Sequence, residues 1–218
     1  LQRTYDEISL DIARIGLDAT ILIDRAGLVG NDGATHQGIY DESLLMSIPN
    51  TVVAMASTPG QAKALMEESK KSHGVFCIRY PKDYEDSNEG EENIPFGSWK
   101  KELLGENTAI VSVGPDTEKL KKLVDSKGLK VSLYNAIYQK PMCDACVKEL
   151  LNYNKLIIYN AYATEAGFAN ALCANLMKLG YKGEVIVKTV PDVFVEQATI
   201  EEQKAKFKLL PENIVELI

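Results

Sequence analysis

The sequence predicts an α/β chain made of two consecutive units, each a largely parallel sheet covered by helices. Two observations predict it. Segments with helical periodicity alternate with short apolar runs almost from end to end, which is the pattern of βαβ units. The composition also breaks once, at residues 82–93, where KDYEDSNEGEEN is acidic, polar and aperiodic. The units are therefore 1–81 and 106–218, joined over 82–105 by an acidic linker and a short connecting segment.

In the first unit, residues 4–15 place Tyr5, Ile8, Ile12 and Ile15 at helical spacing. Ala19–Ile23 is a short apolar strand that runs into Asp24 and Arg25. A glycine-rich loop follows, then a helix over 40–47, a buried strand at Thr51–Met55, a helix over 60–72 and a strand over 75–78 that ends at Arg79. Three good strands are few for such a sheet, so its amino-terminal part is expected to lie outside this chain. The unit should then be the less ordered one, with apolar surface exposed where strands would pair. The second unit reads as strand 108–113, helix 115–126, strand 129–134, helix 143–152, strand 155–159, helix 164–179, strand 184–188 and a terminal helical stretch. That is enough for a complete small sheet.

Composition narrows the class of function. The chain is 45% hydrophobic and 25% charged, as ordinary globular proteins are. No apolar run approaches the roughly 18 residues of a membrane helix. The opening LQRTYDEISLDIARIG is amphipathic rather than a signal peptide, and four cysteines without a disulfide framework make a reducing cytoplasm the expected setting. It begins with Leu1, which implies that translation starts elsewhere. A net charge of −7 argues against nucleic acid or an anionic membrane as partner. An anionic ligand would need a local cluster of arginines.

Cys77, Cys143, Cys146 and Cys173 lack the spacing of a disulfide framework. Cys143-Asp-Ala-Cys146 has the spacing of a redox pair or half a zinc site, but further ligands are scattered, and the pair reads as ordinary thiols at the start of a helix. His73 reads as a solvent-exposed turn residue, VSVGPDTEKL as a plain helix start, and 85–92 as solvated linker.

The densest polar segment is DRAGLVGNDGATHQG, residues 24–38. Arg25 and Arg79 each follow a strand directly, so both should project from the carboxyl edge, where ligands of open parallel sheets bind. Two guanidinium forks on one edge suit a phosphate or carboxylate. Asp32 and His36, four residues apart in the loop, could move protons or bind substrate hydroxyls. The alternative is structural: the arginines pair with Asp24 and Asp32, the glycines make turns, and His36 caps the loop.

The same fifteen residues resemble the string D-R-A-G-(L/I)-V-G-x-D-G-x-T-H-x-G of the 1-deoxy-D-xylulose-5-phosphate synthase family, with Ala34 in place of the usual proline. LQRTYDEISLD is similar to that family's L-Q-R-A-Y-D-Q, IRYPKD to its R-Y-P-R-G, and IPFG to its P-I-G turn. QKPM is similar to its V-K-P-(L/I), and PDVFVEQATIEEQ to its P-D-x-F segment. The matches are collinear over nearly the whole chain. They imply the carboxy-terminal part of such an enzyme: a partial transketolase-type pyrimidine-binding domain, then a transketolase carboxy-terminal domain with one antiparallel edge strand.

The resemblance implies thiamine diphosphate and magnesium as cofactors, pyruvate and glyceraldehyde 3-phosphate as substrates, a homodimer, and a product that feeds isoprenoid, thiamine and pyridoxal synthesis. It places Arg25 and Arg79 on the aldehyde's phosphate, Asp32 and His36 near the reacting centre, and Arg3 beside the cofactor's aminopyrimidine. It also marks what this sequence lacks. The family's G-D-G…N motif for metal and diphosphate is absent, as is the E-Q-H segment with the glutamate that protonates the pyrimidine. The chain alone is therefore expected to be inactive, as a fragment or as one subunit of a split enzyme. Half of another thiamine enzyme (a transketolase or a 2-oxo-acid dehydrogenase β subunit) and a non-catalytic partner-binding subunit are the rival readings. Tyr159, Asn160 and Ala161 stand where the family has acidic residues, and Ala166 and Ala198 where it has glycines.

Overall fold

A computed structural model describes residues 1–82, 90 and 92–218. Most of the run expected to be solvated linker, 85–92, lies outside the described residues. The α/β architecture is as expected: two mostly parallel sheets with helices packed on them.

The first sheet contains β1 (Ala19–Ile23), β2 (Thr51–Met55) and β3 (Val75–Arg79), all parallel and ordered β1-β3-β2. Pro59 at the first turn and the Thr58 hydroxyl, which accepts from the Gln61 amide, start helix α2 (Pro59–Ser69). Helix α1 (Asp41–Met46) precedes β2. Residue alternation splits the sheet into two faces. Val53, Val75 and Cys77 pack with Ile8, Ala13, Leu45 and Ile48, while Val52, Phe76 and Ile78 face the second sheet.

The expected helix over 4–15 is a π-type helix at Glu7–Ala13 after a 3-10 turn at Gln2–Thr4. Its bonds span five residues, as in Arg14 N–H to Ser9 O at 3.0 Å and Leu17 N–H to Ile12 O at 3.1 Å. This winding turns Ile8 and Ala13 inward and leaves Ile15 52% exposed, although 3.6-residue spacing would have buried it.

The second sheet has the order β4-β6-β5-β8-β9, from β4 (Lys100–Leu103), β5 (Thr108–Ser112), β6 (Ser132–Asn135), β8 (Lys155–Thr164) and β9 (Glu184–Val190). All neighbours are parallel except the edge strand β4, the antiparallel edge that the resemblance implied. Its sequence, KKEL, carries no apolar alternation, so it was not legible as a strand. The remaining helices are α3 (Asp116–Ser126), α4 (Asp144–Leu150), α5 (Phe168–Lys178), α6 (Ile200–Lys206) and α7 (Pro211–Val215). β8 runs five residues beyond the expected 155–159 and buries Ala161, Tyr162 and Ala163, so α5 starts four residues later than expected.

One strand joins the units. β7 (Tyr138–Lys140) belongs by sequence to 106–218 but pairs antiparallel with β2, completing the first sheet as β1-β3-β2-β7. The connecting segment strengthens this crossing. The Trp99 indole donates to the Tyr138 carbonyl at 2.7 Å, and Phe76 meets Tyr138 edge-on at 6.0 Å. One hydrophobic cluster therefore runs through both sheets. Exposed apolar residues are not confined to the first unit: Leu10, Leu17 and Leu22 are about half exposed, but Leu104, Met177 and Phe194 are exposed further still.

Candidate functional site

The loop after β1 is shaped by its own sequence. Pairing of β1 with β3 continues past the strand ends through Tyr80 N–H to Ile23 O at 3.0 Å and Ala26 N–H to Tyr80 O at 2.8 Å. The chain then folds back on itself, with Gly27 and Gly38 exchanging amide bonds at 2.7 and 2.9 Å. Both glycines are required by contact. A Cβ on Gly38 would fall 2.0 Å from the Arg25 carbonyl, and one on Gly27 (φ +96°) 2.6 Å from the Tyr162 ring. From the second unit, the buried Gln203 accepts from Gly30 N–H at 3.2 Å and donates to Glu196 O at 2.8 Å. Gln37 holds the Val29 amide from within the loop at 3.0 Å.

On this platform Arg25 takes a left-handed backbone conformation, φ +60°. A non-glycine residue seldom adopts it, and such residues gather at functional sites. Its Nη1 donates to Asp32 Oδ2 at 2.9 Å, Asp24 Oδ2 stands 3.7 Å from its Nε, and its side chain is 47% exposed. The structure thus brings Arg25 and Asp32 together at the surface, in the pairing that the structural alternative anticipated, with much of the guanidinium open to solvent. His36 is exposed on the same loop, its Nδ1 3.0 Å from the Thr35 hydroxyl. Arg3 is exposed in the 3-10 turn at Gln2–Thr4.

Arg79 differs from expectation. Its guanidinium does not project from the sheet edge: the side chain is fully buried and its donors are engaged. Nε and Nη2 hold Asp41 at 2.8 and 3.1 Å, Nη1 holds Glu42 at 2.9 Å, and Nη2 also donates to the Tyr162 carbonyl at 2.7 Å and the Gly38 carbonyl at 3.3 Å. Burial works against the Arg79 charge, but Asp41 and Glu42 outweigh it and hold its pKa above the ordinary value. In this arrangement Arg79 presents no fork to a phosphate. It supports the loop from beneath, through Gly38.

Sequence reasoning missed the partners of Arg79. Glu42 is completely buried; burial pushes its carboxyl pKa up, opposed by Arg79, the Phe168 amide and Asn160. The Asn160 amide donates to both Glu42 oxygens at 3.2 and 3.1 Å, and Phe168 N–H to one at 2.9 Å. Asn160, in the middle of β8, thus binds an acid that α1 supplies. In sequence, Asp41 and Glu42 read as the ordinary acidic first turn of a helix, so no local signal distinguished them.

A second buried charge cluster lies in the other unit. The Asp116 carboxylate meets Lys204 Nζ at 2.5 Å and the Tyr159 hydroxyl at 2.6 Å. Asp116, Tyr162 and Lys204 line a cleft of about 910 Å³ together with Ala26 and Leu28 of the loop after β1. None of Arg3, Arg25, Asp32, His36 or Arg79 lines it. Among the described residues, no group of three or more His, Cys, Asp or Glu could hold a metal ion. Nor is any helix among them long and apolar enough to cross a membrane.

Two mostly parallel sheets, with a glycine-built loop at the carboxyl edge of the first, have the transketolase type of α/β fold, as two comparisons show. Residues 1–84 match the family model of the transketolase pyrimidine-binding domain. A solved structure described as a split-gene transketolase in an inactive β4 tetramer superposes over 98% of this chain and 70% of its own, with a TM-score of 0.85 and 20% identity. At that identity the likeness speaks for the fold. In sequence, the chain resembles the 1-deoxy-D-xylulose-5-phosphate synthases over nearly its whole length. It is 34% identical to the synthase of Aquifex aeolicus over 202 residues, which cover 90% of this chain and 32% of that protein. It is 30% identical to that of Listeria innocua over 224 residues, which cover 99% and 35%. The chain thus spans about a third of the length of these relatives.

Proposed function

We propose that this chain supplies the aldehyde-binding face of a 1-deoxy-D-xylulose-5-phosphate synthase. In the assembled enzyme, pyruvate would lose carbon dioxide and its two-carbon remainder would join glyceraldehyde 3-phosphate, a product used for isoprenoid, thiamine and pyridoxal synthesis. The observation that carries this reading is the loop at 24–38. It closes on Gly27 and Gly38 and holds Arg25 in a left-handed conformation beside Asp32, with the guanidinium accessible. A strained, half-exposed arginine at a sheet edge suits a phosphate dianion, because its planar fork meets two oxygens at once. On this reading phosphate displaces Asp32 from Arg25, and Asp32 is freed to accept from a substrate hydroxyl. His36, on the same loop, is the group able to give a proton to the new alkoxide.

Arg79 is assigned a positioning role. Its contact with the Gly38 carbonyl fixes the loop's closing residue, and its charge is already matched by two carboxylates. Thiamine diphosphate and magnesium are the cofactors of the proposed reaction. The described residues do not fit the metal and diphosphate, since they offer no cluster of metal ligands. That end of the cofactor would be held by residues beyond these 218, with Arg3 contributing beside the pyrimidine. A homodimer in the cytoplasm completes the reading.

The test is a coupled assay for 1-deoxy-D-xylulose 5-phosphate. This chain would be mixed with a polypeptide bearing the G-D-G…N motif and the catalytic glutamate, plus both cofactors and both substrates. Turnover is expected only with both polypeptides. Arg25→Ala should raise KM for glyceraldehyde 3-phosphate at least tenfold and leave KM for pyruvate near the parent value. His36→Ala should lower kcat. An Arg25→Ala protein with unchanged KM for the aldehyde would end the assignment.

A further inference from the structure

Cys143-Asp144-Ala145-Cys146 sets two thiols three residues apart, and the fold gives them unequal surroundings. Cys143 immediately precedes α4, in an extended conformation (φ −72°, ψ +101°), and Cys146 is the third residue of the helix. The two cysteines therefore occupy the residue before the helix and the third residue of its first turn. Helical geometry puts Cα atoms three apart at about the 4.4–6.8 Å that a disulfide spans. Both residues are partly exposed and pack against the edge of the hydrophobic core, whereas Cys77 is buried within the first sheet.

The two thiols share the first turn of α4, although the Cys143 side chain makes no hydrogen bond that caps the helix. Burial alone would raise the Cys143 thiol, but the amides of Cys146 and Trp99, the Cys146 thiol and the Ala145 amide together bring it below its ordinary value. Burial, Cys143 and Glu149 push Cys146 up to about 12, with Lys101 opposing. Cys77 and Cys173 are both raised by burial, so Cys143 differs from the other three cysteines. A metal does not explain the pair, because no third ligand gathers beside it among the described residues.

We propose that Cys143 and Cys146 form a thiol–disulfide exchange site whose reactants are low-molecular-weight disulfides such as oxidised glutathione. The Cys143 thiolate attacks one sulfur of the reagent and its S–S bond breaks. One glutathione leaves as a thiolate that takes up a proton, and the other stays on Cys143 as a mixed disulfide. Cys146 then gives its proton to solvent and attacks the Cys143 sulfur, releasing the second glutathione. Two protein thiols are oxidised to one disulfide, and one disulfide is reduced to two thiols.

The experiment treats the reduced 218-residue chain with oxidised glutathione and reads intact mass and peptide maps. The expected result is loss of two hydrogens, with Cys143 and Cys146 in one cross-linked peptide. Cys146→Ser should stop at the mixed disulfide and gain one glutathione on Cys143, while Cys143→Ser should show neither change. Competition with iodoacetamide on the unsubstituted chain reads the same order without a variant, and Cys143 should be alkylated first. The proposal is overturned if both cysteines stay reduced while glutathione attaches to Cys173. Alkylation of Cys143 no faster than Cys173 would overturn it as well.

Discussion

Asp116 and Arg79 are charges that folding takes out of water, and each is compensated by chain distant in sequence. Asp116 meets Lys204 and Tyr159; Arg79 meets Asp41, Glu42 and the Tyr162 carbonyl. Such pairs add modest net stability when complete, yet breaking one leaves an uncompensated charge and costs about 3–5 kcal/mol. Asp116→Asn should therefore lower the unfolding free energy by about 3 kcal/mol in urea titrations at neutral pH, because the Lys204 ammonium loses its counter-charge. Burial works to raise the Asp116 carboxyl, but Lys204 and Tyr159 outweigh it and hold the pKa below the ordinary 3.8. The unfolded chain then takes up that proton first as pH falls. This contribution is complete above about 3.8 and is lost as pH drops below it toward the folded-state value. Urea midpoints between pH 5 and pH 2 should fall less steeply for Asp116→Asn than for the parent, and equal slopes would reject the coupling.

Among elements, the loop between β1 and α1 depends most on a single backbone contact. The Gly38 Cα lies so close to the Arg25 carbonyl that any side chain there must open the loop. Gly38→Ala should cost about 1–3 kcal/mol, typical of forcing a methyl into filled space. Release of the Gly27–Gly38 pairing should also speed tryptic cleavage after Arg25. Cleavage at the parent rate would mean that the loop is held elsewhere. This loop was legible in sequence because its glycines, Arg25, Asp32 and His36 sit within fifteen residues, and local geometry shapes the loop. β4 and β7 were not legible. Both are four residues or shorter, and strands that short carry no periodicity apart from the sheet they join.

The two units do not behave as separate bodies at the scale of the whole molecule. β7 carries the second unit into the first sheet, and Trp99, Phe76, Tyr138 and Phe168 join the two cores. Thermal unfolding followed by Trp99 fluorescence and by far-ultraviolet circular dichroism should therefore coincide in one transition. Trp99 is the chain's single tryptophan and sits at this junction. Two separated transitions would restore the picture of a weaker first unit.

The sequence by itself determined the α/β class, most of the strands and helices, and the glycine-rich loop with Arg25, Asp32 and His36. Each of these depends on residues close together in the chain, where periodicity and turn chemistry act. Only the tertiary structure decided the burial of Arg79 against Asp41 and Glu42, the bond from Asn160 to Glu42, the Asp116–Lys204 pair and the unequal settings of Cys143 and Cys146. Whether a charge is exposed or buried, and whether a thiol meets amides or apolar side chains, is set by segments that meet only when the sheets pack. No local pattern encodes that meeting.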